Sequence, residues 1–114
     1  MRFLLLNLPV FFGINLINES TGLIGPKAAI TAPTGVFWMS YDNFYVYTGA
    51  VKKLPCSVLS YVFDDFNIGQ SFKVFAFSNT QFDEVGWYYA SASSTEIDRY
   101  VIYNYAEDVW SYGQ

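Results

Sequence analysis

Neighbouring carboxylates are the first residues in this chain whose types and spacing could support chemistry. They occur at four places, which are Asp64-Asp65, Asp83-Glu84, Glu96 with Asp98, and Glu107-Asp108. A glycosidase needs two facing carboxylates roughly 5–9.5 Å apart, one of them with a raised pKa. Adjacent residues of a strand point to opposite faces, so Asp83 and Glu84 cannot form such a pair by themselves. All four groups lie in or beside predicted turns, where Asp commonly bonds local backbone amides, so the sequence favours solvated turn carboxylates over catalysis.

Other reactive or metal-binding groups are scarce. The chain has no histidine and therefore lacks the usual general base and the commonest metal ligand. The single cysteine, Cys56, excludes an internal disulfide, and without a histidine partner we expect a buried, unreactive thiol. Asp64, Asp65 and Asn67 come nearest to a calcium site, but no calcium-binding loop surrounds them, so hydrogen bonding at a helix end is favoured. We expect a non-catalytic protein with no metal or cofactor.

Aromatic residues are the most abundant candidates for binding. The chain is 53% hydrophobic and 21% aromatic, with only 14% charged residues, whereas an average domain has about 25% charged residues. Much apolar surface should therefore meet other chains or a missing part of this one, and a homo-oligomer is expected. Exposed rings can stack on sugars, but the alternating pattern favours packing between sheets or subunits. The candidate packing and interface residues are Trp38, Tyr45, Tyr47, Trp87, Tyr89, Tyr100, Tyr103 and Trp110.

The charge distribution excludes one class of partner. The formal net charge is −4, and no basic cluster is present that could neutralise phosphates, so nucleic acid is not expected as a partner.

Residues 71–114 form the segment that must position most of these rings. The aromatic and β-branched runs predict four strands, at about Phe72–Ser78, Glu84–Ala90, Asp98–Tyr105 and Asp108–Tyr112. Neither face of this antiparallel meander is plainly polar, so we expect both faces to be covered. A β-propeller blade, which is sandwiched between its neighbours, has this property.

The remainder of the chain predicts a second, smaller β unit and a connector. Residues 22–55 are expected to form a first, partial blade, with strands at about Lys27–Thr31, Val36–Ser40, Phe44–Tyr47 and Ala50–Leu54. The Asp42-Asn43 turn of its central hairpin suits positive φ angles. Residues 56–70 have spacings compatible with about two turns of helix, with Ser57 as its N-cap. Residues 1–21 form an apolar arm and loop, too short to span a bilayer, which needs about 20 apolar residues. The predicted fold is all-β, with one and a half to two propeller blades and a short connecting helix.

Several segments together resemble a known family. They are GLIGPKAAI (22–30), GVFWMSYDNFYVYTG (35–49), LPCSVLSYVFDDFN (54–67) and FDEVGWYYASASSTEIDRYVIYNYAEDVWSYG (82–113). These segments resemble tailed-bacteriophage virion structural proteins, namely tail or tail-nozzle components that contain β-propellers. The resemblance implies a structural role in a phage tail, as a ring or tube built from several copies, with other virion proteins as partners and no catalytic residues to transfer. Because such proteins are generally longer, it also implies a fragment, a truncated reading frame or a split gene product.

An alternative function remains open at this point. The same aromatic β units could form a module that binds carbohydrate on the host surface. Burial of Trp38, Trp87 and Trp110 would favour the packing role, whereas coplanar exposed rings beside polar side chains would favour sugar binding.

Overall fold

The fold is built on two four-stranded antiparallel sheets. The structure is a computed structural model and describes residues 23–114. The predicted arm at residues 1–21 lies outside the described residues. The first sheet contains β1 (Ala29–Ala32), β2 (Gly35–Met39), β3 (Phe44–Tyr47) and β4 (Val51–Lys53). The second contains β5 (Phe75–Asn79), β6 (Glu84–Tyr89), β7 (Arg99–Asn104) and β8 (Val109–Gly113). In both sheets the strands follow chain order, so the predicted all-β fold of antiparallel meanders is confirmed.

The first sheet agrees with its predicted strands but differs at one turn. Its four strands lie within about two residues of the predicted ones at each end, and all four are paired in chain order. The turn between β2 and β3 is closed by the Ser40 amide, which donates to the Asn43 carbonyl at 2.9 Å. The predicted positive φ at Asp42 and Asn43 is wrong, because among the described non-glycine residues only Asp83 and Asp108 have positive φ, 58° and 57°.

The connector between the sheets is less helical than predicted. Helix α1 covers only Leu59–Phe63, and a 3-10 helix follows at Ile68–Lys73, which includes two residues that we assigned to a strand. The predicted Ser57 cap is wrong, because Val58 is the N-cap and makes no side-chain capping bond. The short length of α1 fits its β-branched and aromatic residues, which lose rotamer freedom in a helix. None of the helices within residues 23–114 is long and apolar enough to cross a membrane.

Aromatic side chains hold the two sheets face to face. Phe44 of β3 is fully buried, and its ring centroid lies 4.7 Å from Trp87 and 5.0 Å from Trp110 on the second sheet. The same ring lies 5.4 Å from Phe63 of α1, so one side chain joins both sheets to the connector. The main core therefore lies between the sheets, and both sheets contribute to it.

Backbone contacts also join the starts of the two sheets. Lys27, just before β1, forms a parallel bridge with Phe75 at the start of β5, and the Ala76 amide donates to the Lys27 carbonyl at 2.8 Å. The indole nitrogen of Trp87 donates to the Ala28 carbonyl, also at 2.8 Å. These bonds satisfy buried polar groups and fix how the second sheet lies against the first.

Candidate functional site: the outer face of the second sheet

The second sheet has one covered face and one open face. On β6, Val85, Trp87 and Tyr89 are fully buried against the core, whereas Tyr88, which alternates with them, is 40% exposed. The strand register places Tyr88 on the same face as five other apolar side chains, and we call this set the outer face. Its members are Phe75, Phe77, Tyr88, Tyr100, Ile102 and Val109. Within the described residues only the inner face of the meander is covered by a sheet, although the sequence predicted cover on both.

The outer face is flat because two of its rings lie over glycines. A Cβ added at Gly86 would collide with the Phe77 ring, and one added at Gly113 would collide with the Tyr100 ring. The Phe77 ring also lies 4.9 Å from that of Tyr88, with 30° between the two planes. A flat apolar surface of this kind can receive another flat surface without leaving voids, which is the requirement for sheet-on-sheet packing.

Most of the predicted aromatic residues lie in the core or on the first sheet. Trp87, Tyr89 and Tyr103 are buried between the sheets. Trp110 is half-buried, packs 4.6 Å from Tyr103, and donates its indole hydrogen to the Pro55 carbonyl at 2.9 Å.

The predicted residues of the first sheet lie on the side of that sheet away from Phe37. Trp38 is fully buried and stacks on Tyr45 at 5.6 Å, while Tyr45 and Tyr47 are half-buried. Of the eight predicted residues, Tyr100 is the one that belongs to the outer face.

Several apolar side chains that the sequence did not mark as candidates are exposed. Phe72, Phe75, Phe82 and Ile97 are 60%, 45%, 57% and 43% exposed. The alternation along β5, where Phe75 and Phe77 flank the buried Ala76, carries a signal for the outer face. No comparable signal exists for Phe72, because its exposure results from the 3-10 helix that replaces the predicted strand.

Four of the exposed apolar side chains meet at one end of the outer face. Phe72, Phe75, Tyr88 and Ile97 line an open pocket of about 480 Å³ together with Lys27 and Lys73, and we call it the lysine pocket. The lysine side chains lie near the rings, with Lys27 Nζ 5.9 Å from the centroid of Phe75 and Lys73 Nζ 5.8 Å from that of Phe72. Both distances are within the range of cation–π attraction.

Several acidic side chains are engaged in local bonds, and Asp98 has the most. Asp98 accepts hydrogen bonds from the Ser91 amide at 2.8 Å and the Ser91 hydroxyl at 2.7 Å, and it pairs with Arg99 at 3.2 Å. Burial alone would raise the pKa of the Asp98 carboxyl, but the Ser91 bonds and the Arg99 charge outweigh burial and lower the pKa below its usual value. A carboxyl held ionised in this way orders the β6–β7 loop and is a poor general acid.

The residues considered for calcium are also bound locally. Asn67 accepts a bond from the Gly69 amide at 3.1 Å and donates to the Ser94 carbonyl at 2.7 Å, so it caps the 3-10 helix. Asp65 lies 3.6 Å from Arg99. Within residues 23–114 no three Cys, Asp or Glu side chains are grouped so that they could hold a metal ion.

Two buried tyrosines and the single cysteine have raised pKa values. Burial, the hydrogen bond to Asp108 at 2.8 Å and the charge of that carboxylate raise the pKa of Tyr103 to about 12. Burial is also the main cause that raises the pKa of Tyr89. Burial raises the pKa of the Cys56 thiol, and a backbone hydrogen bond from Val58 only partly opposes it. A protonated thiol is a weak nucleophile, although Cys56 is half-buried and not fully buried as the sequence predicted.

Comparison with known proteins adds no assignment to these observations. The chain matches no protein-family profile and no curated protein sequence.

Proposed function

We propose that this chain is a non-catalytic assembly protein that builds part of a rigid wall by packing aromatic sheet faces against neighbouring sheets. The observation that carries the proposal is the outer face of the second sheet. The inner face of the same sheet has similar residues and is covered by the first sheet, whereas the outer face has flat-lying rings without a described sheet against it. Exposed apolar surface of this kind marks an interaction site.

The proposal includes a β-propeller arrangement. Two successive four-stranded meanders pack face to face, and the parallel bridge between Lys27 and Phe75 brings their first strands together. Blades that radiate from a common axis have their first strands side by side and their faces stacked. In that arrangement the outer face would receive the next blade, supplied by a second copy or by another virion protein.

The resemblance to tailed-bacteriophage tail proteins supplies the location of the proposed wall, which is the virion tail. Mass spectrometry of purified virions of a phage whose genome contains this reading frame tests this part. Peptides of the chain should be present in intact particles, and their absence from particles with complete tails would refute the location.

The assembly itself is tested by light scattering of the purified protein across a concentration series. We expect a discrete oligomer whose population grows with concentration. Replacing Ile102 by Lys places a charge in the middle of the outer face, between Gly86 and Ser111, and should shift the protein to monomer. Ala50→Lys, in the exposed β3–β4 turn, adds the same charge away from that face and should leave the mass unchanged. A wild-type monomer at every concentration would refute the proposal.

Host-surface carbohydrate binding is the second candidate, and the lysine pocket favours it. Its rings lie beside the polar side chains of Lys27, Lys73 and Glu96, as in a site that stacks a sugar and bonds its hydroxyls. The burial of Trp38 and Trp87 removes two of the three tryptophan rings from such a role and leaves packing as the favoured function. Binding of a panel of glycans by the wild type, abolished by Tyr88→Ala, would reverse this order.

A further inference from the structure

The lysine pocket combines apolar walls with positive charge, and this combination indicates what kind of group can bind in it. Four of the nine large apolar side chains that are exposed within residues 23–114 line it, so an apolar group should enter it. Lys73 already donates to the Thr95 carbonyl and to Glu96, the latter at 3.1 Å. Lys27 has no carboxylate within ion-pair distance among the described residues. The two ammonium groups and Glu96 give the pocket a charge of +1 in a chain of net charge −4. A fitting occupant combines an apolar group with at least one carboxylate.

The turn between β5 and β6 of the same chain has that combination. Phe82 projects from the turn and is 57% exposed, and two carboxylates follow it directly, those of Asp83 and Glu84. We call these three residues the acidic turn.

The acidic turn is held in one conformation by the strands beside it. The side-chain amide of Asn104 donates to the Phe82 carbonyl at 3.2 Å, and the Tyr105 amide donates to the Asp83 carbonyl at 3.0 Å. Asp83 itself has a φ of 58°, which Asp tolerates better than most residues. A turn ordered in advance loses little conformational entropy when it binds.

The acidic turn and the lysine pocket lie at opposite ends of the same hairpin. The pocket is formed where β5 begins and β6 ends, while the turn joins the other ends of these strands. The five residues of β5, at about 3.3 Å each, separate them by roughly 16 Å, so they cannot meet within one chain. Contact between two copies is therefore head-to-tail, and such contacts close into rings or extend as filaments.

We propose that the acidic turn of one copy binds in the lysine pocket of a second copy, with Phe82 among the pocket rings and a carboxylate facing Lys27. This inference rests on the proposed assembly function and names its partner and contact. The like-charged alternative, pocket against pocket, would place unpaired ammonium groups together and is disfavoured.

A charge exchange between the two surfaces tests the contact. Lys27→Glu and Glu84→Lys should each weaken self-association about tenfold at low ionic strength, where exposed charges interact most strongly. The double variant should associate more tightly than either single variant, because opposite charges again face each other. Glu84 is changed rather than Asp83, because position 83 has a positive φ that Asp tolerates better than most residues. Asp42→Lys, at the tip of the β2–β3 hairpin, is the matched control and should leave association unchanged.

An uncharged pair of variants tests the apolar part. Phe82→Ser should abolish association, whereas Tyr41→Ser, which changes a ring of equal exposure on the other turn, should not. Circular dichroism checks that each variant stays folded, which is expected because both rings are exposed.

The outcomes separate this inference from the proposed function. Association that Ile102→Lys abolishes, but that the Phe82 and Glu84 variants leave intact, would overturn the contact and leave the assembly function standing. Weakening by Lys27→Glu without rescue in the double variant would mean that the pocket receives another segment of the second copy, and would also overturn the contact. A wild-type monomer at every concentration would refute both proposals.

Discussion

Replacing Phe44 by Ala should destabilise both sheets together. The side chain is fully buried, and its ring contacts the second sheet and helix α1 through Trp87, Trp110 and Phe63 at 4.7–5.4 Å. Truncation of a buried Phe to Ala typically costs about 3–5 kcal/mol, through lost burial and the cavity left behind. Each lost ring pair contributes about 0.5–1.5 kcal/mol beyond burial, so a cost near the upper end, about 4–5 kcal/mol, is expected here.

The loss should be measured by urea unfolding at a fixed protein concentration, because self-association would make stability depend on concentration. With a slope of about 2 kcal/mol per molar urea, the midpoint should fall by roughly 2 M. Phe44→Leu keeps most of the volume and should cost only about 1–1.5 kcal/mol. Phe82→Ala removes the same ring from an exposed position and should change stability by less than about 0.5 kcal/mol.

Two probes decide whether the sheets unfold as one unit. Tryptophan fluorescence reports on Trp38 in the first sheet and on Trp87 and Trp110 in the second, while circular dichroism reports on both sheets. Coincident transitions in the wild type and in Phe44→Ala would support one shared core. A loss below about 1 kcal/mol, or two separate transitions, would refute the assignment of Phe44 as the side chain that joins them.

Three further outcomes are expected. The folded-state pKa of Tyr103 is about 12, and the ordinary value for tyrosine is 10.0. The protonated Tyr103 side chain therefore stabilises the fold fully below pH 10, and about 2–3 kcal/mol of this stability is lost as the pH rises from 10 to 12. Urea midpoints across this range should fall less steeply in Tyr103→Phe than in the wild type. Asp98→Asn should lower stability at pH 7 by about 1–2 kcal/mol, because it removes the charge that binds Ser91. Since the pKa of Asp98 is lowered in the folded state, its stabilising charge is lost at acid pH, and the difference in stability from the wild type should vanish there. A difference that persists at pH 2 would contradict the ionic origin of the stabilisation. Gly86→Ala should destabilise the fold by about 1–3 kcal/mol, because the added Cβ collides with the Phe77 ring. Thermal melts should show that stability partly recovers when Phe77→Ala is added. Strictly additive losses in the double variant would contradict the collision.

The sequence by itself determined the second sheet almost completely. The four predicted strands of residues 71–114 agree with β5–β8 to within about three residues at each end, because β-branched and aromatic runs separated by turn residues have few other arrangements. Alternation also placed Val85, Trp87 and Tyr89 on one side of their strand, but it did not show that this side is the one the first sheet covers.

Only the tertiary structure decided which aromatic residues remain available for binding. Trp87 and Tyr88 are neighbours of similar chemistry, yet the first one is buried by Phe44 from the other sheet and the second one lies exposed in the lysine pocket. That difference depends on which face of the second sheet the first sheet covers. The covering contact joins residues more than forty positions apart, and no local sequence pattern encodes it. The pocket likewise joins Lys27 to a distant hairpin through the bridge to Phe75. Local propensity therefore specifies the strands of this protein, while long-range packing specifies its surface.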